Sequence, residues 1–143
     1  MVYYDFLELA EEFYDAFRLL PRNNPRGISW PRYFLLCHAI ELALKAFLLY
    51  HGMTQQELQN NFGHKIDVLM RHALDKRLNI EPLVASEIML LAEAHTKHWP
   101  RYPRQEGKPV FVIDGFEPYV LELLKAVASS IRGPGLLPPY VSY

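Results

Sequence analysis

The sequence predicts an all-α protein, an antiparallel up-and-down bundle of about five main helices, and three observations carry that expectation. Apolar residues recur at three- and four-residue spacing through most of the chain. Proline and glycine cluster between the periodic segments, where helices must stop. The chain has 143 residues, half of them hydrophobic and only 22% charged. That is enough to bury about 68–70% of its unfolded surface around one core. A single domain over residues 1–132 is expected, followed by an irregular tail over 133–143 that holds Gly133, Pro134, Gly135, Pro138 and Pro139.

In the first segment Tyr3, Phe6, Leu7, Ala10, Phe13, Tyr14, Phe17 and Leu20 make one apolar face, with Asp5, Glu8, Glu12 and Asp15 opposite. Acids near its start and Arg18 and Arg22 near its end suit the helix dipole. Pro21, Pro25 and Gly27 end it. Ser29 is a good N-cap for a second helix over about 30–50, with Pro31 tolerated in its first turn. That helix is apolar almost all round, the mark of a rod surrounded by others, and Gly52 ends it. Thr54 and Glu57 form a capping-box pair for a short turn over 54–60. A fourth segment carries Ile66, Leu69, Met70 and Ala73 on one face. The fifth, over 82–99, aligns Val84, Ile88, Leu91 and His95 and then meets Pro100 and Pro103. Residues 100–113 read as a connector, extended over 109–113. Asp114 and Glu117 read as a second capping box before a last helix with Val120, Leu123, Leu124, Val127 and Ile131 on its core face.

The net charge of −1 conceals an uneven layout. Residues 1–17 hold five acids and no Lys or Arg, residues 16–40 hold four arginines and no acid, and a second basic segment runs from His95 to Lys108. Strong general nucleic-acid binding is not expected at this balance, whereas a focused anion site is compatible with it. The single cysteine, Cys37, allows no intrachain disulfide and points to a reducing, cytoplasmic location. The acidic N-terminus is the reverse of a secretory signal. Arg32, His38, Glu41 and Lys45 interrupt the most apolar stretch, so no membrane span is expected.

The seven glycines fit no dinucleotide-binding turn, no phosphate-binding P-loop and no nucleophile elbow. Neither HExxH nor Glu-x-x-His occurs. His95 and His98 share a helix face but have no further ligand near them in sequence, so neither a metal nor a cofactor is expected. The informative polar residues are His38, Glu41 and Lys45, spaced i, i+3, i+7 on the central helix. This stripe reads either as that helix's one solvent-facing edge or as a polar groove that binds an anion. With consecutive long helices antiparallel, Lys45, the Gly63-His64-Lys65 helix start and the His95, His98 and Arg101 end would meet at one end of the bundle. Free N–H groups at a helix start near His64 would favour phosphate there.

Residues 34–52 (FLLCHAIELALKAFLLYHG), then Gly63-His64-Lys65-Ile66 with Leu69, then Trp99-Pro100-Arg101-Tyr102-Pro103 before a final amphipathic helix, resemble HEPN domains (higher eukaryotes and prokaryotes nucleotide-binding). The resemblance covers nearly the whole chain in order and implies an antiparallel helical bundle. It also implies two lines of function. Some members bind nucleotides or partner a separate minimal nucleotidyltransferase, as in toxin–antitoxin systems; others are metal-independent ribonucleases using Arg-x(4–6)-His at a dimer interface.

On the first line this chain, which lacks a nucleotidyltransferase signature, is the binding half, without catalytic activity of its own and expected to form a homodimer. Its nucleotide- or anion-binding residues would be Glu41, Lys45, His64, Lys65, His95, Arg101, Tyr102 and Arg104, the arginines gripping phosphate bidentately and Tyr102 and Trp99 stacking on a base. On the second line the catalytic pair would be Arg32 and His38, the one pair with the spacing. Six helical residues set the two about 120° apart, and Arg32 also reads as a helix-start surface residue. A third reading is a helical interaction module without a ligand, whose Leu136, Leu137, Tyr140 and Val141 tail docks on a partner.

Overall fold

A computed structural model describes the backbone of residues 2–21, 30–62, 65–98 and 113–133 and the side chains of 2–21, 30–60, 65–93 and 115–133. The described residues are helical and contain no strand. The elements are α1 (Val2–Leu19), α2 (Trp30–Tyr50), α3 (Gln55–Glu57) running into a π-type turn (Leu58–Phe62), α4 (Ile66–Asp75), α5 (Pro82–His98), and a 3₁₀ turn (Ile113–Phe116) leading into α6 (Glu117–Arg132).

Helix α2 is the hub, touching α1, α4, α5 and α6. Leu36, Ala39, Ile40, Ala43, Leu44, Ala46 and Leu48 are fully buried on it, as its all-round apolar sequence predicts. Ala39, Ala43 and Ala46 fall on one stripe, where the lack of bulk lets a neighbouring helix approach closely. The α1–α2 hairpin is antiparallel: Tyr3 meets Tyr50, Phe13 meets His38, and the Phe17 ring lies under Arg32. Leu7, Ala10, Tyr14 and Phe17 form the buried face of α1.

By length and composition α2 could cross a membrane, but 67% of its apolar window is buried inside the bundle. Its apolarity is that of a core helix.

Helix ends follow local chemistry with one exception. Thr54 and Glu57 form the expected capping box, with the Glu57 N–H donating to Thr54 Oγ1 at 3.1 Å and the Thr54 N–H to Glu57 Oε1 at 3.3 Å. Helix α2 closes on Gly52 at φ +98°, with the Gly52 N–H on the Leu49 carbonyl and the Met53 N–H on that of Leu48. Helix α4 closes on the same pattern, the Arg77 N–H on Leu74 and the Leu78 N–H on Ala73, but places Arg77 at φ 66° where glycine is usual. The capping box expected at Asp114 and Glu117 does not start α6. The N-cap is Phe116, without a side-chain cap, and Pro118 occupies the first turn, where its missing N–H costs nothing. Glu117 accepts instead from the Tyr14 hydroxyl of α1 at 3.2 Å.

A second tie joins α1 and α6. Arg132 donates both terminal nitrogens to Glu11, Nη1 to Oε2 at 2.7 Å and Nη2 to Oε1 at 2.5 Å, with 6% of the Glu11 side chain and 21% of that of Arg132 exposed.

Candidate functional site

The candidate site is built on α2, whose polar residues stand in two different settings. On the face toward α1, Arg32 is 2% exposed and its guanidinium sits 4.3 Å from the Phe17 ring centroid. The surface position expected for Arg32 is therefore incorrect. Its aliphatic stem packs like a hydrophobe and the cation lies on an aromatic face. His38 is half-buried on the same seam, edge-on to Phe13 at 4.5 Å and stacked on Phe34 at 6.0 Å. Arg32 and His38 thus occupy separate levels of the α1–α2 seam, each engaged by a different phenylalanine, six residues and roughly 9 Å of helix rise apart.

A four-residue ladder also runs along α2: Tyr33, Cys37, Glu41, Lys45. Successive members are one turn apart and all largely out of solvent. Lys45 Nζ lies 3.1 Å from Glu41 Oε2, with only 12% and 10% of the two side chains exposed. The solvent-facing edge read from His38, Glu41 and Lys45 is therefore not what the fold makes. Helices packed around α2 cover the Glu41–Lys45 pair, and His38 turns toward α1. Below the pair, burial pushes the Cys37 thiol up to about 12, with the Tyr33 hydrogen bond opposing and the Glu41 charge adding to the rise. Burial and the neighbouring thiol likewise raise the Tyr33 phenol, and its hydroxyl donates to the Leu91 carbonyl of α5 at 2.7 Å.

That hydrogen bond ties α5 to the first turn of α2. Leu91 stands beside the first turn of α2, whereas Lys45 lies about three turns further, roughly 18 Å along the axis. Lys65 is exposed at the start of α4, where it makes no side-chain cap. Of the expected nucleotide- or anion-binding residues, Glu41 and Lys45 are brought together. The side chain of His95 and residues His64, Trp99, Arg101, Tyr102 and Arg104 lie outside the described residues.

Sequence reasoning missed Tyr33 and Cys37. Their signal was present as an i, i+4, i+8, i+12 row, but Tyr and Cys count as apolar in any periodicity reading. It also missed Glu11 as a buried partner of Arg132, because 121 residues separate the two. No group of His, Cys, Asp and Glu among the described residues is arranged to hold a metal. Comparison with known families, curated proteins and solved structures finds no match to this chain.

Proposed function

We propose that the protein is a HEPN-like helical module that binds a nucleotide or another phosphate-bearing ligand and serves as the non-catalytic partner of a separate nucleotidyltransferase, as in toxin–antitoxin systems. The reading rests on the sequence resemblance and on one structural observation, the shielded Glu41–Lys45 pair in the middle of the central helix. Taking two charges out of water costs several kcal/mol per ion before their attraction is counted. A lysine kept there despite that cost is a cation tethered within an apolar wall. A phosphate entering beside it would meet a preoriented Nζ in a low-dielectric setting, where a charge-assisted hydrogen bond is strongest.

The test is calorimetric titration of ATP and GTP into the wild type and into the Glu41→Gln/Lys45→Met variant, which removes both charges and keeps the volumes. Binding at Kd of about 1 mM or tighter, near 4 kcal/mol, is expected for the wild type, with at least a tenfold loss in the variant. No heat and no thermal shift at millimolar nucleotide would reject the ligand. A partner encoded beside this chain should carry the Gly-Ser and Asp-x-Asp signature that this sequence lacks, and should co-purify with it. The ribonuclease alternative draws no support from Arg32, whose burial over Phe17 withholds it from a substrate phosphate.

A further inference from the structure

The antiparallel α1–α2 hairpin brings the start of α1 beside the end of α2, and there it gathers rings on the surface. Tyr3 lies 4.8 Å from Tyr4 at a 40° tilt and 5.2 Å from Tyr50 at 79°. Tyr50 is edge-on to His51 at 5.4 Å. Tyr4 is 37% exposed and Tyr50 41%, with exposed Val2 and His51 beside them. Exposed apolar residues scattered singly need no explanation, but a contiguous aromatic patch marks an interaction site.

The charged residues nearest the patch along α1 are acidic. Asp5 and Glu8 are exposed on the same helix, and no Lys or Arg occurs in α1 before Arg18 or in the chain between Lys45 and Lys65. Aromatic faces beside carboxylates suit a guanidinium, which stacks on a ring while its planar fork donates to a carboxylate. A nucleic-acid backbone would be repelled by the same carboxylates, and an ammonium would gain the charge term without the planar stacking. We infer that the Tyr3–Tyr4–Tyr50 cluster, with Asp5 and Glu8 exposed on the same helix, is a docking surface for an arginine-bearing segment of a partner protein.

The probe is a short fluorescein-labelled Gly/Ser peptide carrying several arginines, compared by anisotropy with counterparts carrying lysine or citrulline at the same positions. The arginine peptide is expected to bind below about 1 mM at low salt and more tightly than either counterpart. Tyr4→Ala/Tyr50→Ala should weaken it about fivefold or more, and Asp5→Asn/Glu8→Gln to a similar degree, while Glu122→Gln on α6 leaves it unchanged. All the substituted positions are exposed or partly so, and circular dichroism of each variant confirms the fold. Undetectable binding, equal affinity for the arginine and lysine peptides, or indifference to the paired tyrosine substitution overturns the inference. So does light scattering that finds a wild-type dimer which the tyrosine substitutions dissociate, since the occupant would then be a second copy of this chain.

Discussion

Glu11–Arg132 and Glu41–Lys45 are both carboxylate–cation pairs drawn largely out of solvent, yet they join the molecule in opposite ways. The first links α1 to α6 across 121 residues through two parallel hydrogen bonds. The second joins neighbouring turns of one helix that is already buried on its apolar residues. A pair between elements ties their packing together, whereas the Glu41–Lys45 contact spans a single turn of α2. Burial alone therefore does not tell a structural ion pair from a candidate binding group.

The sharpest way to break this contrast is to remove one partner of the first pair and both charges of the second. Glu11→Ala should cost about 3 kcal/mol or more in urea unfolding, because it leaves the shielded Arg132 guanidinium without its carboxylate. Removing both charges of the local pair, in Glu41→Gln/Lys45→Met, should change stability by less than about 1 kcal/mol while weakening nucleotide binding at least tenfold. If the double substitution unfolds the protein, the Glu41–Lys45 pair is structural after all and the contrast fails.

A smaller effect is expected at Tyr33, another tie between elements. Tyr33→Phe leaves the Leu91 carbonyl without the hydroxyl and should cost about 1 kcal/mol in the same measurement. The Cys37 thiol beneath the Glu41–Lys45 pair gives a pH signature. Its ordinary value of 9.0 is raised to about 12 in the folded state, so the unfolded chain loses this proton first. The stability it contributes is fully present below pH 9 and is lost as pH rises toward 12. Alkaline unfolding should shift to higher pH in Cys37→Ala, and native Cys37 should resist thiol reagents at pH 8. The smallest change is local. Arg77→Gly relieves the left-handed backbone after α4 and should stabilise by about 0.5–1 kcal/mol, read as a rise in Tm.

Much of the fold was legible because it is written locally. The Tyr3-to-Phe17 periodicity delimits α1, Gly52 ends α2, and the Thr54–Glu57 box starts α3. The Asp114–Glu117 box was misread because a capping pattern competes with Pro118 and with the Tyr14 hydroxyl, neither of which is visible to a four-residue motif. The candidate site was legible only in part. Glu41 and Lys45 were singled out by spacing, but their exposure was judged from polarity alone.

By itself the sequence determined where the helices run, that the second of them is the core, and which residues could carry charge chemistry. Only the tertiary structure decided that Arg32 is buried over Phe17, that Glu11 belongs to Arg132, and that Tyr33 reaches α5. The division is physical. Helix formation depends on hydrogen bonds and side-chain spacing within a few residues, whereas the fate of a polar group depends on which distant element displaces its water.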